Sequence, residues 1–162
     1  MKIAFGSDHA GFQLKEDLKK YLKEDAQLEV ECYDFGVFDE NPLDYPEIAL
    51  VVAESVARGE FERGVLVCGT GVGMAISANK VSGIRAAGCS EPFTARMTRK
   101  HNDANILTLG SRAVGPGLAQ EILEAFLATP FEGGRHLRRV GKMGLIEEKY
   151  MSPPSPAEGG EE

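Results

Sequence analysis

Five short apolar runs of β type, separated by stretches of helical periodicity, constrain this chain more than any other feature. The runs are Lys2–Gly6, Leu28–Asp34, Gly64–Cys68, Ile84–Cys89 and Ile106–Gly110. Between the first two, Leu14, Leu18, Tyr21 and Leu22 recur at helical spacing, and Leu118, Ile122, Leu123, Phe126 and Leu127 do so later. Segments Pro46–Arg58, Val72–Lys80 and Pro92–His101 read as the remaining crossover helices. Strands alternating with helices imply right-handed βαβ units, a mainly parallel five-stranded sheet and helices on both faces: a Rossmann-like three-layer α/β/α sandwich. After Pro130 an EGGR turn leads into a final helix, Arg135–Tyr150, with no strand to follow. Such a helix leaves the sheet and is a candidate arm for a second subunit. Residues 1–150 are expected to form one domain, and 151–162, with the composition SPPSPAEGGEE, a disordered tail.

Composition narrows the function classes. The net charge of −7 argues against a general nucleic-acid binder, which carries a basic face. Ile48–Ala53, the longest purely apolar stretch, is far too short for a membrane span. The opening KIAFG shows no signal-peptide pattern, and three cysteines, Cys32, Cys68 and Cys89, lack metal-ligand spacing. Reduced thiols in a cytoplasm are therefore expected.

In parallel sheets the functional crevice lies at the carboxyl ends of the strands. There the chain delivers Ser7-Asp8-His9, Cys68-Gly69-Thr70, Ser90-Glu91 and Gly110-Ser111-Arg112. The sharpest local signal is CGTGVG, with glycine at 69, 71 and 73 between a strand and a helix. It fits neither G-x-G-x-x-G, since residue 74 is methionine, nor the P-loop, since no lysine follows Gly73. A phosphatase-type loop would need an arginine where Met74 stands. What remains is a turn whose amides and helix dipole favour an anion, read against the bland alternative of a tight connection. A thiol has a reference pKa of about 8.5, and a helix N-terminus or imidazolium draws it toward neutrality, where it can accept a proton. Cys32 and Cys89 have no such loop and read as packing. His9 sits at the active edge. His101 follows a helix and precedes a strand, which places it at the opposite edge with a structural role, and His136, among arginines, is expected to be solvated. Arg135 and Arg139 share a helical face, either as a solvated stripe or as an anion clamp whose planar forks suit phosphate.

Taken together, SDHAGF, DYP at 44–46, CGTGVGMAISANK, GIRAA, HNDANIL and EGGRH resemble the type B ribose-5-phosphate isomerase family, in order from Met1 to about Tyr150. That family also includes galactose-6-phosphate isomerase subunits and allose-6-phosphate isomerases. The resemblance implies a five-stranded parallel sheet, no metal, no organic cofactor, and a dimer or tetramer whose site is shared between subunits. It implies that Cys68 is the base moving a proton between carbons 1 and 2 of an open-chain sugar phosphate, in the non-oxidative pentose phosphate pathway. Members that use a glutamate place it near Gly73, and this chain has no carboxylate in that loop. By the same resemblance His101 assists ring opening against the topological reading, Thr70 approaches the ring oxygen, and Asn102 binds the reacting oxygens. Asp8 contacts hydroxyls, while His9, Arg112, Arg135 and Arg139 bind phosphate. Gly69, Gly71, Val72 and Gly73 present the loop to substrate, and Tyr45 lines the pocket.

Three rivals stay open: an isomerase of a six-carbon sugar phosphate, with pocket size set by loops such as Val37–Asp44; a non-catalytic phosphate- or flavin-binding module; and a redox thiol protein. The flavin module predicts a chromophore and no need for Cys68. The redox reading lacks a second cysteine at C-x-x-C spacing.

Overall fold

The computed structural model describes residues 1–24, 26–38 and 43–151. Five strands alternate with helices: β1 (Lys2–Ser7), a 3-10 turn at His9–Gly11, α1 (Phe12–Glu24), β2 (Glu31–Asp34), α2 (Tyr45–Ala57), β3 (Arg63–Cys68) and α3 (Val72–Ala78). Then come β4 (Ala86–Gly88), α4 (Pro92–Asn102), β5 (Ile106–Gly110), α5 (Pro116–Ala128) and α6 (Arg135–Met151). The sheet has the order β2-β1-β3-β5-β4, and every pairing is parallel.

The period-two alternation of a strand assigns its side chains to two layers. Ile3, Phe5, Val65, Val67, Leu107 and Leu109 point into one core, filled by Leu14, Leu18 and Leu22 of α1 and Ile122, Leu123 and Phe126 of α5. Their neighbours Ala4, Leu66, Cys68 and Ile106 point the other way, against Ile48, Val52 and Val56 of α2 and Met74 and Ala78 of α3. Parity therefore turns the Cys68 thiol toward the α2/α3 layer, on the side where the glycine loop enters α3.

The two outer strands are shorter than their apolar runs. Of the expected Leu28–Asp34, only Glu31–Asp34 pairs with β1, while Leu28 and Val30 pack on the first core as loop residues. Of Ile84–Cys89, only Ala86–Gly88 pairs with β5, though Ile84 and Cys89 stay buried. Apolar residues at a sheet edge can be buried without a ladder partner, and hydrophobic patterning does not see the difference. At the other end Met151 still belongs to α6; residues 152–162 of the expected tail, and 39–42 of the loop proposed to set pocket size, lie outside the described residues. No helix among the described residues is long and apolar enough to cross a membrane.

Candidate active site

The central strands β1, β3 and β5 end side by side, and their carboxyl ends build one cluster. Cys68 closes β3 opposite Gly110 of β5 and is 5% exposed. Its Sγ accepts the Gly71 amide at 3.1 Å. Gly71 has φ +79, and a Cβ there would lie 2.9 Å from the Leu109 carbonyl carbon, so glycine is required on both counts. From the neighbouring strand Thr108 Oγ1 donates to the Gly71 carbonyl at 2.9 Å, which fixes the turn from its other side. The loop is thus clamped between the thiol and β5.

Each neighbouring strand end adds a polar group. After β1, the buried Asp8 accepts the Gly11 amide at 2.9 Å through one carboxylate oxygen, and the exposed His9 follows it. After β5, Ser111 Oγ donates to the Ala10 carbonyl at 2.7 Å, tying the two strand ends together. The Ser111 and Arg112 amides donate to the carbonyls of Cys68 and Gly69 at 2.8 and 3.0 Å. The exposed Arg112 side chain lies over Gly69, 3.6 Å from where a Cβ would stand. Tyr45, the first residue of α2, covers Gly73 so closely that a Cβ there would be 2.7 Å from its ring. Thr70 and Val72 are exposed at the loop's rim, and Thr70 Oγ1 accepts the Val72 amide at 3.3 Å. Asp8, Cys68, Gly69, Thr70, Gly71, Val72, Gly73, Arg112 and Tyr45 are therefore brought together at these strand ends, and His9 follows Asp8 along the chain.

One strand end does not join them. Glu91, expected at the active edge, instead caps α4, its carboxylate accepting the Phe93 and Thr94 amides at 2.6 Å each. A hydrogen bond from the Thr94 side chain, helped by those two amides, holds its carboxyl below the usual carboxylate range despite the opposing cost of burial. It follows the outer strand β4, which is separated from β3 by β5.

A second polar cluster stands elsewhere. His101 and Asn102 end α4 beside the amino edge of β5, and α6 begins next to them. The His101 and His136 rings stack with centroids 4.3 Å apart and planes 8° from parallel. Arg135 Nε donates to His136 Nε2 at 3.3 Å. Arg139, exposed, lies one turn further along α6, close enough for its charge to act on His136. A strand of β5's length spans on the order of 15 Å, so one sheet edge separates this cluster from Cys68. The structure does not bring His101, Asn102, Arg135 and Arg139 to the thiol of their own chain.

The description Ribose/Galactose Isomerase belongs to the family that matches residues 3–143. The chain belongs to the ribose/galactose isomerase family. Ribose-5-phosphate isomerase B of Escherichia coli is 49% identical over 148 residues, covering 91% of this chain and 97% of the relative. D-erythrulose-4-phosphate isomerase of Pectobacterium atrosepticum is 43% identical over 149 residues, 92% of this chain and 97% of its own length. The solved ribose-5-phosphate isomerase B of Clostridium thermocellum superposes with a TM-score of 0.89 at 52% identity, covering 93% of this chain and 99% of that one. The resemblance in the motifs thus holds along the chain, and the protein is an isomerase.

One expectation about the isomerase is overturned outright. His136, expected in solvent among arginines, is 2% exposed, packed beneath His101. Consecutive left-handed residues, Gly133 at φ +68 and Gly134 at φ +54, turn the chain so that the start of α6 folds back onto α4. Burial pushes the His136 imidazole below its ordinary value, and the charges of His101 and Arg135 act the same way. The glycine pair in EGGRH was the signal that this histidine is turned inward. Cys32 and Cys89 behave as packing, as expected: burial pushes both thiols up, Cys89 to about 11.

Proposed function

We propose that this isomerase interconverts ribose 5-phosphate and ribulose 5-phosphate, with Cys68 as the base. The observation that carries the reading is the Cys68 thiol at the end of β3, fixed by the Gly71 amide, in a loop that carries Arg112 over Gly69 and Tyr45 over Gly73, with Asp8 and His9 following the neighbouring strand β1. In the open-chain aldose, the Cys68 thiolate takes the proton from carbon 2, and the electron pair moves through the carbonyl to oxygen 1. Amides of the Gly69–Gly73 loop stabilise the enediolate; one such donor aimed at an oxyanion can supply roughly 3 kcal/mol. A proton moves from oxygen 2 to oxygen 1, and the thiol returns its proton to carbon 1, leaving the ketose. Asp8 holds hydroxyls with its second carboxylate oxygen, Thr70 faces the ring oxygen, and His9 and Arg112 bind phosphate. Neither a metal nor an organic cofactor enters these steps.

His101, Asn102, Arg135 and Arg139 complete the site from a second copy of the chain. The separation of the two clusters within one chain supports this. So does α6, which leaves Leu137, Leu145 and Ile146 each more than 60% exposed, an apolar surface of the kind that marks an interface. The working unit is then a homodimer, or a tetramer built from it, and the three free cysteines fit a cytoplasmic setting. The 43% identity to an enzyme named for a four-carbon substrate keeps sugar length as the point to test. Chelator-treated protein is mixed with ribose 5-phosphate, erythrulose 4-phosphate and allose 6-phosphate in deuterated buffer. Highest turnover on ribose 5-phosphate, with solvent deuterium entering the product at carbon 1, is expected. Faster turnover of another sugar would reassign the substrate, and turnover without deuterium entry would argue against the Cys68 proton transfer.

A further inference from the structure

His136 has no part in the steps above, yet it is one of the most enclosed polar groups in the second cluster, at 2% exposure. Its Nε2 accepts from Arg135 Nε, so the ring carries its proton on Nδ1. That Nδ1 is buried and has no hydrogen-bond partner among the described residues. The ring also forms the floor on which His101 lies flat.

Metal binding does not explain this arrangement. His101, Glu132 and His136 hold ligand atoms within 4.8 Å of one another. An imidazole binds an ion close to its own ring plane, however, and two planes 8° from parallel with centroids 4.3 Å apart cannot both aim at one ion.

We propose that His136 is a positioning residue that sets the plane of His101 and the direction of Arg135 as one unit. The inference rests on the reading of His101 and Arg135 as substrate-handling groups. Stacking removes His101's freedom to turn about its side-chain bonds. Occupying Arg135 Nε leaves the two terminal nitrogens free, the edge that meets a phosphate with two parallel hydrogen bonds. The unit requires His136 to be neutral: a proton on Nε2 would remove the acceptor and place a third cation beside Arg135 and Arg139. The groups facing the ring are His101 on α4, Arg135 and Arg139 on α6, and Glu132 in the connecting loop, so one carboxylate stands against two arginines. Burial, His101 and the two arginines disfavour the charged form, and Glu132 opposes them without reversing the balance.

Two substitutions separate the two tasks. His136→Phe keeps a ring for stacking and loses the acceptor; it is expected to raise KM for the sugar phosphate about tenfold with kcat little changed. His136→Gln keeps an acceptor and loses the ring; it is expected to lower kcat on the closed-ring sugar about tenfold while sparing an open-chain analogue. Misplacement of a reacting group by about 1 Å costs up to a hundredfold, so these are moderate effects. Nitrogen-15 NMR of the wild-type protein at pH 7 should show His136 neutral with Nδ1 protonated, and a slowly exchanging Arg135 Nε–H that His136→Phe loses. A wild type inactive on every sugar phosphate but carrying these NMR signatures would sink the functional reading and leave the positioning supported. An active wild type with His136 charged or protonated on Nε2, or both variants losing kcat and KM alike on both substrates, would overturn the positioning.

Discussion

Cys89 lies in the apolar layer on the α1/α5 face, where burial, reinforced by the Glu91 carboxylate, pushes its thiol up to about 11. Cys68 lies on the other face with an amide donor at its sulfur. Substituting Cys68 by alanine should therefore leave folding intact and reduce turnover by at least about a thousandfold, the upper part of the range for a general base. The measurement is kcat alongside the thermal midpoint; near-normal kcat would remove the thiol from the mechanism. Gly71 carries a different burden, since its left-handed backbone and the Leu109 carbonyl both exclude a side chain. Gly71→Ala should cost about 1–3 kcal/mol from backbone conformation, with the steric contact adding to it. Urea unfolding measures the stability, and activity should fall with it because the loop that holds the thiol must shift.

At the scale of elements, α1 is joined to the carboxyl end of β2 by charge rather than by apolar packing. Lys15 is fully buried, and its Nζ donates to both Asp34 oxygens at 2.7 Å and to the Val37 carbonyl at 2.6 Å. Lys19 adds a further contact to Asp34. Burial alone would raise the Asp34 carboxyl, but the Lys15 and Lys19 hydrogen bonds and the Gly36 amide outweigh it, so the group is held below the usual carboxylate range. A carboxyl depressed in the folded state adds stability above its unfolded pKa of about 3.9, and that stability drains away as pH falls from there through the folded value. Lys15→Met removes one partner of the pair and should cost about 3 kcal/mol at pH 7. Its stability should also vary less between pH 5 and pH 2 than that of the wild type. An unchanged acid profile would show that the pair does not govern this joint. The outer elements show where patterning stops: β2 and β4 are shorter than their apolar runs, because a ladder needs a neighbouring strand as well as hydrophobic residues.

For the whole molecule, the candidate site residues fall into two separate clusters. Cys68 with Asp8, His9 and Arg112 stands at one edge of the sheet, and His101 with Arg135 and Arg139 stands beyond the other. If a second copy joins them, co-expressed Cys68→Ala and Arg135→Ala/Arg139→Ala chains should form heterodimers with one good site each. Both homodimers should be nearly inactive. Recovered activity in the purified heterodimer is the expected result; its absence would place the clamp within a single chain. Arg139→Ala alone should raise KM about tenfold or more, since a charge-assisted contact contributes about 1.5–3 kcal/mol.

The alternation of runs determined the α/β/α sandwich, because burial of apolar faces on a parallel sheet leaves few other arrangements. Ile106–Gly110 forms a strand with the limits its residues imply, being central and paired through both neighbours. Cys68 and its glycines were legible for the same reason: their spacing serves a local turn, and local turns are written in adjacent residues. The fate of His136 was not. Its burial depends on two left-handed glycines folding α6 back on α4 and on the His101 ring waiting there. The role of Glu91 likewise depended on which strand it follows in the sheet, which is a matter of strand order and not of sequence order. Sequence determined which groups the chain owns and which turns it makes; the tertiary structure decided which groups meet, since meeting is set by packing between elements distant along the chain.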